Sequence, residues 1–441
     1  MPRDLRSFLA ELADRGLLVR VARDVDPATE AARLMADAER RGVAVLFERV
    51  RGSELPLVYN LAGSRAALGL ALGVEPREVV RRFREALARR VEPVRIDDAP
   101  VQEVVATGDD ADLRTLPLVV HSEKDAAPYV TAGLVLAHDP ESGARNVSIN
   151  RMMLAGPRES GIRMMPPQQL GVIQAKAEAA ARDLPVAVAI GVHPLDSIAA
   201  ATSLPPGEDE LALAGGLRGE PVRLTRAVTL DLDVPADAEV VLEGYVRAGV
   251  REPEGPFGDF LQFYVPEMAN HRFRLTAITH RRGAIFQTMV AGSREDVNLL
   301  GLSREADVVA AIERTGADLV ATRVGPTILG CIVAIRQRYP GEAKNVALAA
   351  LGAYGWLKYC IVVDEDVDVD DMDDVWWAVT ARSSPERAVH VLGGAPAFPR
   401  DEHGVHGSKA IIDATIPLGE WRDFERKRPP GGAPLRLEEL A

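Results

Sequence analysis

The chain has 441 residues, 47% of them hydrophobic and 27% charged, with a formal net charge of -13. That is enough apolar material for two or three buried cores, an ordinary globular composition, and an acidic balance that argues against nucleic acid or an anionic membrane as partner. Cys331 and Cys360 both lie in apolar runs, which excludes a disulfide framework and a cysteine zinc site; with no apolar signal core and no bilayer-length apolar run, residence is expected to be cytoplasmic.

In chain order, Leu5, Phe8, Leu9 and Leu12 recur at helical spacing between a capping Asp4 and a stopping Gly16. Leu17 to Val21 reads as a strand, 27–40 as a helix, Val43 to Phe47 and Leu57 to Tyr59 as strands, and a helix opens at Pro76. From about Val101 the texture becomes β-rich: 101–105, 116–120, 130–137, 146–154, 185–190, 222–228, 238–246, 273–279 and 284–290, interrupted by one helix over 168–181. Many strands at short spacing predict a barrel or sandwich. From about Ser303 alternation returns, with strands at 319–322, 328–335 and 359–363 and helices at 343–357 and 372–382. The Trp376-Trp377 pair and the apolar strand 359–363 suit core packing and an oligomer interface equally. Residues 426–441, rich in charge, Pro and Gly, read as a surface arm.

Several chemistries are missing. The sequence has no phosphate-binding P-loop, no dinucleotide fingerprint, no His-Glu-x-x-His and no nucleophile-elbow serine. The acidic run at Asp364, Asp366, Asp368 and Asp370 resembles a calcium loop superficially, but Val369 holds the turn position and Val375 the bidentate position. His403 and His406, near Lys409, have no cysteine or further histidine beside them to complete a metal site.

Three segments carry polar residues where apolar pattern or tight turns otherwise rule. Asn146-Val-Ser-Ile-Asn-Arg151 flanks a strand fit for burial, so its guanidinium needs an anionic partner; taken alone, a rim arginine in a surface salt bridge is the better reading. Glu252-Pro-Glu254-Gly-Pro-Phe-Gly-Asp259 is a rigid loop with three carboxylates, of which one held ionised by a cation can act as base while a desolvated one holds a proton. Pro166-Pro-Gln168-Gln169 opens a helix, where N–H groups favour an anion, although a proline-started helix is the plainer reading.

In this order, and with Glu210-Leu-Ala-Leu-Ala-Gly-Gly-Leu-Arg-Gly219, Asp233-Val-Pro-Ala-Asp-Ala-Glu239-Val-Val-Leu-Glu-Gly244 and Gly407-Ser-Lys409, these phrases resemble the UbiD family of decarboxylases from about residue 4 to residue 420. The resemblance implies an α/β (α+β) fold: a split β-barrel binding prenylated FMN, with flanking helices, joined by a linker helix to a C-terminal α/β oligomerisation domain. The expected boundaries are 1–100 and 101–300 for the cofactor domain, 301–330 for the linker region, 331–425 for the C-terminal domain and 426–441 for the tail. It also implies a divalent metal, Mn2+ or Mg2+, often with K+ alongside, and a separate flavin prenyltransferase as cofactor supplier. The family's Asn and Glu metal ligands correspond to Asn146 and Glu210, but its His position holds Gln169, a hard oxygen donor that suits the same ions. The catalytic set corresponds to Arg151, Glu254 and Asp259: Arg151 orients the substrate carboxylate, and Asp259 or Glu254 returns a proton after CO2 leaves. Asn146, Val147, Ser148, Ile149, Asn150, Arg151, Gln168, Gln169, Glu210 and Lys409 are the expected cofactor contacts. The implied reaction is reversible, non-oxidative decarboxylation of an aromatic, heteroaromatic or α,β-unsaturated acid by a homo-oligomer, dimer or hexamer. Two alternatives stay open: a flavin- or metal-binding subunit of a carboxylase complex, inert alone, and a hydrolase using Glu210 and Glu254.

Overall fold

The helix Leu5–Asp14 forms where the apolar residues at 5, 8, 9 and 12 share one face. All four are buried, and Asp4 caps the helix by accepting the Ser7 N–H at 2.9 Å. The structure, a computed structural model, describes residues 4–165, 168–396, 398, 407–424 and 426–427. Pro166, Pro167, His403, His406 and the tail from residue 428 onward lie outside the described residues. The chain divides into two units, Met1–Ala306 with Val324–Ile328, and Asp307–Arg323 with Leu329–Ala441.

A nine-stranded antiparallel sheet organises the first unit. Its order is Tyr129–Val130, Met152–Leu154, Glu159–Ile162, Met268–His280, Val240–Glu254, Leu184–Ile190, Leu134–His138 and Arg145–Ile149, with Val104–Thr107 added against Met268–His280. The two ends of that order are neighbours in sequence. Arg145–Ile149 and Met152–Leu154 are separated only by Asn150 and Arg151, and Val130 and Leu134 by three residues. Links so short between opposite edges force the sheet to curl on itself, as a barrel split along a seam. A second, four-stranded sheet (Leu18–Val25, Ala44–Val50, Leu57–Tyr59, Phe286–Gln287) and the helices around it complete the unit.

The second unit is a five-stranded sheet in the order Asp318–Val324, Gly330–Arg336, Tyr359–Asp364, Ser408–Asp413 and Val389–Gly393. The middle three run parallel and the last antiparallel. Cys331 and Cys360 face each other in register as buried free thiols. The mixed α/β architecture is therefore the expected one.

Some elements differ from the sequence reading. Residues 116–120 carry only a single bridge, Val119 to Tyr129, because Pro117 has no N–H to donate and a tight turn, Leu113–Thr115, precedes it. The expected strand 146–154 is broken at Asn150 and Arg151. Helices Arg65–Leu72, Pro194–Ala200 and Glu210–Arg218 were not anticipated. Most of their residues are buried, the last two on every side, so no amphipathic stripe marked them.

Candidate active site

The seam of the curled sheet gathers the polar residues. On Arg145–Ile149, Asn146 is 4% exposed, and its Nδ2 lies 3.2 Å from Gln169 Oε1 and 3.2 Å from Glu210 Oε1. Gln169 stands at the first turn of Gln169–Ala179, with its own Nε2 donated to the Leu204 carbonyl. Glu210 stands at the first turn of Glu210–Arg218, which Asp209 caps by accepting the Leu211 N–H at 2.8 Å; Arg145 pairs with Asp209. The other Glu210 oxygen accepts the Val147 N–H at 2.9 Å. Burial pushes the Glu210 carboxyl up to about 7, against the opposing pull of backbone N–H groups and the Asn146 amide.

Asn146 Oδ1 is buried and has no hydrogen-bond partner among the described residues. Half a turn of the amide exchanges it for Nδ2, and three oxygens, from Asn146, Gln169 and Glu210, then converge. Such a set suits a hard divalent cation, which would also relieve the Glu210 carboxyl of its buried charge. Among the described residues no three His, Cys, Asp or Glu side chains form a metal cluster.

Five residues on, Arg151 forms a two-pronged pair with Glu254: Nε to Oε1 and Nη2 to Oε2, both 2.9 Å. The Glu254 side chain is 1% exposed and that of Arg151 10%. Asn270 Nδ2 donates a third bond to Glu254 at 2.6 Å. The guanidinium lies 4.4 Å from the centre of the Phe257 ring, whose other neighbour is Tyr129, at 4.5 Å between ring centres. Tyr129 Oη is buried beside Glu254, and burial first, then the Glu254 charge, pushes its phenol up. Asp259 ends the same loop. Its Oδ1 accepts the Phe260 N–H at 2.8 Å, and its backbone turns through bonds to Phe263 and Gln262.

Of the remaining expected contacts, Ser148 Oγ donates to Asn150 Oδ1 at 2.8 Å, and Asn150 Nδ2 donates to the Arg163 carbonyl at 3.0 Å, stitching the seam. Ile149 packs against the core, and Gln168 is exposed just before its helix. Lys409 belongs to the second unit, where Nζ donates to the carbonyls of Gly355 (2.8 Å) and Leu357 (2.5 Å). Sequence reading missed Asn270, Tyr129 and Asp125, the last of which accepts the Gly258 N–H at 2.8 Å. Their only signal was a polar residue in a β-rich stretch.

Three family models cover the chain: the N-terminal, Rift-related and C-terminal domains of 3-octaprenyl-4-hydroxybenzoate carboxy-lyase (UbiD) match residues 9–87, 92–294 and 297–414. An anhydromevalonate phosphate decarboxylase from Methanothermobacter thermautotrophicus is 32% identical over 428 residues, 96% of this chain and 99% of that protein. The UbiD-class enzyme HmfF from Pelotomaculum thermopropionicum, in complex with FMN, superposes with a TM-score of 0.93 at 36% identity, covering 99% of this chain and all of that one. An evolved dimeric form of HmfF, in complex with prFMN, gives 0.90 at 35% identity, covering both chains in full. The apo 3,4-dihydroxybenzoic acid decarboxylase of Enterobacter cloacae gives 0.91 at 29% identity over 98% of each chain.

Proposed function

The chain belongs to the UbiD family of carboxy-lyases, and on that premise we propose that it removes CO2 from an aromatic, heteroaromatic or α,β-unsaturated acid with prenylated FMN. The observation that carries this reading is the buried Arg151–Glu254 pair, set on the same short stretch as the Asn146–Gln169–Glu210 oxygen cluster. Asn146 and Arg151 are five residues apart, at most about 17 Å of extended chain. That separation suits a ligand with a phosphate at one end and a ring at the other. Asn146, Gln169 and Glu210 would hold Mn2+ or Mg2+ against the phosphate, and residues 146–151 and Gln168 would flank the rest.

Loss of CO2 from an sp2 carbon needs an electron sink, and bound prenylated FMN supplies it. The chain's own residues do the rest. Arg151 is held flat by Glu254 and Phe257, so its remaining N–H can orient a substrate carboxylate without first being ordered. Asn270 and Arg151 together keep Glu254 fixed as the partner of that cation. Asp259, on the loop beyond Phe257, returns a proton to the carbon that CO2 has left. A homo-oligomer and a flavin prenyltransferase as supplier complete the reading.

Candidate substrates include 3,4-dihydroxybenzoate and anhydromevalonate phosphate, after the relatives, along with cinnamate-like and heteroaromatic carboxylates. The test is co-expression with a flavin prenyltransferase, loading with Mn2+, and a panel of these acids followed by CO2 release. Turnover of at least one acid, abolished by R151M, is the expected result. A fully loaded protein that leaves the whole panel untouched would overturn the reading.

A further inference from the structure

We propose that Asp125 is a positioning residue for Asp259: its carboxylate fixes the Phe257–Gly258 peptide, one residue before Asp259, and thereby aims that acid. The inference rests on the role given to Asp259 above.

The loop from Glu254 to Asp259 contains two glycines and one proline, and little side-chain mass of its own. A proton donor must stand within hydrogen-bond reach of the carbon it serves, so something has to hold this loop. The segment 121–129 does so at three points. The Pro256 carbonyl accepts the Ala126 N–H at 3.0 Å. The Phe257 ring lies against Tyr129. The Gly258 N–H donates to Asp125 Oδ1 at 2.8 Å. The attachments thus bracket Phe257, the residue beneath the Arg151 guanidinium, and the last of them takes the final amide before Asp259. Beyond Asp259 the chain closes on itself, with the Asp259 N–H donating to Phe263 O at 2.9 Å and the Gln262 N–H to Asp259 O at 2.7 Å. The backbone of Asp259 therefore has a self-made turn on one side and Asp125 on the other.

The chemistry of the contact requires a carboxylate. Asp125 Oδ2 accepts the N–H groups of His121 (3.1 Å) and Ser122 (2.9 Å) while Oδ1 takes Gly258. An asparagine has one accepting oxygen and would turn its NH2 towards an N–H. Burial pushes the Asp125 carboxyl up, and the three backbone N–H groups and the Arg151 charge pull the other way. The approach is also close. A Cβ on Gly258 would lie 2.4 Å from Ser122 Oγ and 3.0 Å from Ser122 Cβ, so a side chain at 258 would displace the Ser122 hydroxyl and press on the segment that holds the loop.

The test compares D125N, D259N and D125N/D259N as holoenzymes on the acid of the panel that wild type turns over, 3,4-dihydroxybenzoate first. It adds backbone amide exchange over 257–260, which needs no substrate. D125N is expected to lower kcat about 10- to 100-fold, the scale of a displaced reacting group, with KM within about twofold. Flavin content should stay at the wild-type value, the thermal midpoint should fall only by what one lost hydrogen bond costs, and exchange over 257–260 should quicken. In the D259N background D125N should cost nothing further. G258A should reproduce the defect, and S122G/G258A should restore much of the lost rate by making room. Unchanged exchange, or an undiminished D125N defect in the D259N background, overturns the inference and leaves the role of Asp259 standing. A D259N enzyme at the wild-type rate removes that role, and the inference with it.

Discussion

Replacing Glu254 separates what the buried ion pair does for stability from what it does for chemistry. In E254Q the amide oxygen can still accept from Asn270 and Arg151 Nη2, which share Oε2, but its NH2 turns towards Arg151 Nε, so one of the two 2.9 Å bonds becomes donor against donor. Arg151, with a side chain 10% exposed, then holds a nearly buried charge without its counterion; the Phe257 face, 4.4 Å away, offsets about 1 kcal/mol of that. Removing one partner of a buried pair costs about 3–5 kcal/mol, and the ring contact places the expectation near the lower end. At about 2 °C per kcal/mol, the thermal midpoint of the first unit should fall by roughly 6 °C. R151M/E254Q should regain most of that loss, because the unpaired cation is gone and the amide keeps Asn270. Neither variant should turn over substrate. Trp356, Trp376, Trp377 and Trp421 all belong to the second unit, so tryptophan fluorescence is blind to the change; calorimetry or amide exchange over 240–280 should follow it. An E254Q protein as stable as wild type would refute the charge argument. A double variant that still releases CO2 would refute the catalytic one.

Three further outcomes are expected. Gln169→His should shift metal content after competitive loading away from Mg2+ and Mn2+ towards Zn2+ or Co2+, measured by elemental analysis; an unchanged ratio would mean that position 169 does not touch the ion. Glu295, buried and accepting the Asn60 and Ala62 N–H groups, has its carboxyl pushed by burial from 4.5 to about 7. The folded chain therefore holds a proton that the unfolded chain has lost, and stability should fall as pH rises from about 4.5 to about 7, then level. That slope, on the order of 3 kcal/mol in full, should vanish in E295Q when the two melting curves are compared across the window, and a wild-type advantage that grows with pH would contradict it. Gly292 has φ +76°, and a Cβ there would lie 2.7 Å from the Phe260 carbonyl, so G292A should lower kcat by displacing the Asp259 loop while metal content stays level; an unaltered kcat would show that the loop yields without consequence.

Two segments of the candidate site were legible because they broke a local pattern, an arginine ending an apolar strand and acids in a Gly-Pro loop; Glu210 entered through the family resemblance alone. Asn146, Gln169 and Glu210 do meet, and so do Arg151 and Glu254, although 64 and 103 residues separate the members of the farthest pair in each set. Asp125, Tyr129 and Asn270 broke no pattern. Each is an ordinary polar residue; Tyr129 and Asn270 meet their partners through sheet pairing, and Asp125 reaches Gly258 from a turn, 133 residues away in sequence. Asn270 stands opposite Glu252, which sets its amide on the same face of the sheet as Glu254.

The break at Asn150–Arg151 shows why the remainder needed coordinates. Read as one strand, 146–154 would alternate its side chains across a single sheet, and Asn146 and Arg151, five apart, would point to opposite faces. The oxygen cluster around Asn146 and the guanidinium could then not serve one ligand. Two linking residues instead carry the chain from the last strand of the sheet to the second, so the alternation restarts on the far side of the seam. Closure resets the parity, and with it the face on which Arg151 emerges. Ser148 and Asn150 hold that link by hydrogen bonds of 2.8 and 3.0 Å. No periodicity in the sequence records such a reset; it follows only from which strands pair.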